Sequence, residues 1–254
     1  MTDSLLQQDE LTRWEQVALT QWGKYLSGIE KRTIMLAHQI SPEPECALEI
    51  GCDGGRWSQL LADLGWQMVC TDIKPHILQT CKSRLPEALC LRVDDADVRA
   101  PLQTESIGLL LCIEVPVIKR DDFILEAHRV LQPQGLFVGV CWNLFSLRGL
   151  FHTGAAYVKR TETFYLSAYR SWRQKLCQVG FRMVHEEGCC WFPFGRESDS
   201  PLVPISARAE RALRLHRLPT LSPWIVFVAQ KSDTADAGGR LPLSASLKAA
   251  PTQR

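Results

Sequence analysis

A chain of 254 residues, 46% hydrophobic and 22% charged, has an ordinary globular composition and enough length to bury one full core. Its formal net charge of +1 argues against a broad polyanion-binding face, and so against nucleic acid as the partner. The N-terminus lacks the basic-then-apolar order of a secretory signal, and no uncharged apolar run is long enough to span a bilayer, which predicts a cytoplasmic protein.

Residues 9–40 are predicted helical, with Trp14, Val17, Ala18 and Trp22 at i, i+3, i+4 and i+8 on one apolar face. Ser41-Pro-Glu-Pro ends this run, so 1–40 is expected to be a helical extension or lid on a domain spanning 41–231. From Cys46 the pattern alternates: strands are predicted at 46–50, 67–73, 89–93, 107–113 and 136–142, with helices near 56–64, 75–84 and 121–131. Trp57, Leu60, Leu61 and Leu64 form a stripe that must pack on the sheet. Nearly continuous apolar strands between amphipathic helices predict a parallel sheet covered on both faces.

Residues 143–166 then interrupt the alternation as an insertion after the fifth strand. A helix at 167–179, with Ser167 as its N-cap, leads to two late strands, FRMVHEEGCCWF and WIVFVAQ (224–230). These are expected to add an antiparallel hairpin to the sheet edge, with 191–223 as a second insertion. The tail 232–254, rich in Ala, Ser, Gly and Pro, is predicted disordered. The ten cysteines contain no CxxC spacing, so no metal site is expected and the thiols read as small core hydrophobes.

The chemistry concentrates at the ends of the first strands. In ALEIGCDGGRWSQLL (47–61) a strand enters a glycine turn that opens a helix, with Asp53 in the middle of the turn. Glu49 lies near the end of the first strand, Asp72 ends the second, 17 residues after Gly55, and Asp95 follows the third. Ligands of open α/β sheets bind outside the carboxyl ends of the strands, so these acids should converge on one crevice. A pyrophosphate tolerates no such carboxylates, and there is no GxxxxGK[ST] run. S-adenosylmethionine carries no phosphate; its sulfonium, ammonium, ribose diol and adenine amino group each suit a carboxylate.

With these residues in place, 46–142 resembles the class I S-adenosylmethionine-dependent methyltransferases. The family's first motif, usually (D/E)xGxGxG, stands here as Glu49-Ile50-Gly51-Cys52-Asp53-Gly54-Gly55, and HRVLQPQGLFVGV (128–140) resembles its segment leading into the fifth strand. The resemblance implies an α/β, Rossmann-like, doubly wound and mostly parallel seven-stranded sheet with an antiparallel C-terminal hairpin. It implies methyl transfer from S-adenosylmethionine, with Glu49, Gly51, Cys52, Asp53 and Gly55 in the cofactor loop. By the same resemblance Asp72 and Ile73 sit at the ribose and Asp95 and Ala96 beside the adenine, while Glu114 either lines the crevice near the sulfonium or caps a helix.

Four positions depart from the family pattern: Asp53 and Gln134 replace glycines, Gly108 stands where relatives carry an acid, and Val115 takes the place of a histidine. The usual general-base candidate is thereby missing. His152, in the insertion, is the one histidine expected to face a substrate, against the alternative of a solvated side chain. Helically spaced apolar residues through 143–160 read either as a lid touching a lipophilic acceptor or a membrane surface, or as a plain amphipathic helix packed on the sheet edge. The functional expectation is methylation of a small molecule (a metabolite, lipid or quinone-like acceptor), the alternatives being a non-catalytic scaffold or an aminopropyl transferase.

Overall fold

Seven strands, β1 Cys46–Ile50, β2 Gln67–Asp72, β3 Leu89–Arg92, β4 Ile107–Cys112, β5 Leu131–Trp142, β6 Phe181–Cys189 and β7 Trp224–Lys231, form one sheet in the computed structural model, which describes residues 11–94, 98–160 and 163–232. The order is β3-β2-β1-β4-β5-β7-β6. Strands β1 to β5 pair in parallel, and β7 runs antiparallel between β5 and β6. The expected Rossmann-like architecture is therefore present, with β6 at the edge and β7 buried inside the sheet. In β4, Leu109 and Leu111 join one core while Leu110 and Cys112 join the other, the two-residue period of a sheet covered on both faces.

Helices α1 Arg13–Leu19, α2 Gln21–Ile40, α3 Arg56–Asp63, α4 Pro75–Arg84, α5 Asp121–Val130, α6 Leu147–Lys159, α7 Tyr169–Val179 and α8 Leu202–Ala212 surround it. None of the described helices is long and apolar enough to cross a membrane. The single helix expected over 9–40 is divided at Thr20. This residue is extended, caps α2 by accepting from the Gly23 amide at 3.0 Å, and donates its hydroxyl back to Val17 O at 2.8 Å. Val17 and Trp22 of the expected face are buried, whereas Trp14, in the first turn of α1, is exposed.

Three further differences have local causes. Strand β5 begins at Leu131 instead of 136, because β5 advances from Leu131 to Leu136 while β4 advances only from Ile107 to Leu109. Gln134 takes up that slack in the left-handed region at φ 65°. Ser167 is not a cap: α7 starts after Ala168, and the Tyr169 amide donates to Asn143 Oδ1 at 3.0 Å. Finally, α6 does not pack on the sheet edge through its expected stripe; Leu147, Phe151 and Val158 are exposed, and Gly149 and Ala156 are its buried residues. The expected disordered tail lies, apart from Ser232, outside the described residues.

Asn143 ties the insertion to the fold. Buried at the end of β5, it also accepts from the Phe145 amide at 3.2 Å and donates to Thr220 O at 2.9 Å and Ser222 O at 3.2 Å. Replacing Asn143 by Ala removes hydrogen bonds to three segments, those to Tyr169 and Ser222 buried, and should cost about 2–3 kcal/mol in urea unfolding. A loss below about 0.5 kcal/mol would show that these segments are held by other contacts.

Candidate cofactor site

The chain leaves β1 through a turn that alternates in handedness. Gly51 (φ 69°), Asp53 (φ 47°) and Gly55 (φ 82°) all lie in the left-handed region. A Cβ on Gly51 would stand 2.6 Å from a Val115 methyl, and one on Gly55 2.9 Å from Cys81 Sγ, so both turns need glycine for space as well as for φ. Asp53 is tolerated there because its carboxylate is held: it accepts a hydrogen bond from the Thr12 hydroxyl. Thr12 and Glu15 form the capping box of α1, and Arg84 bridges Glu15 to Gly54 O, the latter at 2.9 Å. The turn is thus fastened to the N-terminal helices.

A cavity of about 420 Å³ opens at the carboxyl ends of β1, β2 and β4. Of the expected site residues, Glu49, Gly51, Cys52, Asp53, Asp72, Ile73 and Glu114 line it. Asp72 accepts from the Lys74 amide at 2.9 Å and from the Asp53 amide at 3.3 Å, which fixes its carboxylate beside the turn. Gly55 does not line the cavity; it is the N-cap of α3. Asp95 and Ala96 lie outside the described residues, and their neighbours Asp94 and Val98 line the cavity. Glu114 caps no helix; it faces the cavity, with Arg196 3.4 Å away. His152 is not brought to the site: it is exposed on α6 and stacks on Tyr165, ring centroids 5.6 Å apart.

Other lining residues were not anticipated. Trp14 and Trp22 from the N-terminal helices, Phe164 from the insertion and Arg196 from the loop after β6 close the cavity opposite the turn. The Arg196 guanidinium sits 4.8 Å from the Trp224 ring and 5.3 Å from those of Trp14 and Phe164. Arg56, the first residue of α3, also lines the cavity and donates to Ser27 Oγ at 2.7 Å. Only Arg56 had a sequence signal, its place directly after the glycine turn; the others come from segments remote along the chain.

Residues 48–139 match a family model described as a methyltransferase domain. This segment, from β1 into β5, is therefore similar to a methyltransferase domain. No curated protein matches the sequence. Among solved structures, the fold is similar to a geranyl diphosphate methyltransferase in complex with GPP and sinefungin, at 12% identity and TM-score 0.57, covering 80% of this chain and 78% of that one. It is also similar to a putative sarcosine dimethylglycine methyltransferase from Galdieria sulphuraria (13%, TM-score 0.56, 83% and 87% covered). A third is an S-adenosylmethionine-dependent methyltransferase from Mesorhizobium loti (16%, TM-score 0.53, 78% and 96% covered).

Around the cavity the sheet and the N-terminal helices gather more carboxyls than cations. Burial raises Glu49 to about 8, against a hydrogen bond from the Ser58 hydroxyl that lowers it. Glu30, on α2, is likewise raised to about 8 by burial and by the neighbouring Glu114, although Arg56 stands 3.5 Å away. Glu114 is itself raised by burial despite Arg196. Glu30 Oε1 and Glu114 Oε2 are buried without a hydrogen-bond partner.

Folded Glu30 keeps a proton that the unfolded chain gives up above its ordinary 4.5, so this group's contribution is full below that pH and is lost as pH rises towards 8. Glu30→Gln should leave stability at pH ~5 unchanged and raise it at pH ~8.5 by on the order of 1 kcal/mol. Thermal melts at the two pH values check this; an unchanged pH dependence would contradict the assignment.

Proposed function

We propose that this chain transfers a methyl group from S-adenosylmethionine to a small-molecule acceptor with an apolar body. The observation that carries the reading is the acid-rich cavity at the strand ends, where buried carboxyls outnumber cations and Asp72 is held beside the glycine turn. A ligand bearing a sulfonium and an ammonium pairs with these carboxyls as they ionise, whereas a phosphate finds no such partner in them. The donor set therefore fits S-adenosylmethionine: Asp72 and Ile73 for the ribose, Glu49, Gly51, Cys52 and Asp53 along the turn, and Asp95 and Ala96 for the adenine.

When bound, the cofactor supplies an activated methyl group open to in-line displacement. The chain's own part is to orient and to exclude water. Trp14, Trp22 and Phe164 offer the acceptor an apolar wall, and Arg196 closes it. Glu114 is the group proposed to receive the acceptor's proton, on an Oε2 that has Arg196 3.4 Å away but no hydrogen bond, with Glu30 beside it to stabilise the protonated pair. On this reading 41–231 is the catalytic unit, 143–166 and 191–223 are acceptor-side insertions and 1–40 is the lid. Ten free cysteines support a reducing, cytoplasmic setting.

Calorimetry should show S-adenosylmethionine binding at 1:1, and Asp72→Ala should weaken it roughly 10- to 100-fold, the worth of hydrogen bonds to a charged group. Absence of binding at millimolar cofactor would favour a non-catalytic scaffold. Stronger binding of the decarboxylated cofactor would favour aminopropyl transfer.

A further inference from the structure

Beneath the glycine turn the fold assembles a thiol cluster that the sequence spacing conceals. Cys70 on β2, Cys81 on α4 and Cys90 on β3 place their Sγ atoms within 4.8 Å of one another. These three elements are neighbours because β3 pairs with β2 and α4 connects them. Cys70 and Cys81 are buried, and Cys90 is partly open on the edge strand, which provides a way in. Cys52, in the turn itself, adjoins the thiols of Cys70 and Cys81, and the Ser58 hydroxyl stands 3.0 Å from Cys70 Sγ.

We propose that Cys70, Cys81 and Cys90 form a binding site for a soft, thiophilic d10 metal cation, with Cys52 as the available fourth donor. Three sulfurs held about 2.3 Å from one centre in a plane stand about 4 Å apart, so shifts of under about 1 Å close the shell. A donor set of sulfur alone selects thiophilic ions over magnesium, calcium or manganese. Binding is a proton exchange with no redox change: each thiol that ligates forms a sulfur–metal bond and releases its proton to water. The site also touches the cofactor turn, through Cys52 and through Gly55, whose Cα faces Cys81 Sγ. Metal occupancy and the turn's conformation are therefore coupled, and by linkage each biases the other.

Cadmium(II), titrated into the full chain without cofactor, tests the site independently of what the cavity binds. One equivalent should produce a saturating thiolate-to-cadmium charge-transfer band. Cys90→Ser, a mild change at a half-buried edge position, should weaken binding more than about 100-fold, since loss of an outer-shell partner alone costs about 10–100-fold. Cys177→Ser, on α7, should leave it unchanged. Independently of any variant, bound cadmium should slow alkylation of Cys90, but not of Cys177, relative to the metal-free chain, as mapped by mass spectrometry. No band at equimolar metal, full affinity in Cys90→Ser, or an unchanged alkylation rate of Cys90 with cadmium present would overturn the proposal.

Discussion

The alternating left-handed turn from Gly51 to Gly55 is the constraint on which the rest of the arrangement depends. It brings Gly51 against Val115 and Gly55 against Cys81 at distances no Cβ allows. Three of the elements that meet the cavity are referenced to it. Asp72 is fixed by the Asp53 amide, α1 by the Asp53 carboxylate and by Arg84, and α3 starts from Gly55.

Asp53 shows how a departure from a family pattern can be structural. A carboxylate in the middle of a nucleotide-binding turn reads from sequence as a contact to a cationic ligand. In the folded chain its side chain is engaged by Thr12, so it fastens the turn to the N-terminal helices. The strain of a non-glycine residue at φ 47° is balanced by a bond joining the turn to the N-terminal helices. Gln134, the other glycine replacement, is also left-handed, at φ 65°, and sits where β5 slips against β4.

The sheet, the glycine turn and Asp72 were legible because each rests on local signals: apolar strand runs, glycines with a helix behind them, and an acid at a strand end. The cavity wall opposite the turn was not. Trp14, Phe164 and Arg196 come from segments whose periodicity says nothing about which cavity they will share, and Thr20 broke a helix that its neighbours' spacing predicts as continuous. Ser167 failed as a cap for the same reason: the bond comes from Asn143, 26 residues away along the chain. The thiol cluster was hidden because its spacing, 70, 81 and 90, is that of a β-α-β unit and not of a metal-binding loop.

Electrostatics joins the two halves. Glu30, Glu49 and Glu114 are buried with Arg56 and Arg196 as the nearby guanidinium groups, and burial pushes all three carboxyls up. A cationic ligand relieves that imbalance and an anionic one aggravates it. The most direct test of this account is a crystal structure of the chain grown with S-adenosylhomocysteine. The account predicts the ribose hydroxyls on the Asp72 carboxylate and the amino-acid end along Gly51. A ligand bound elsewhere, or a phosphate-bearing nucleotide seated in its place on that turn, would contradict it.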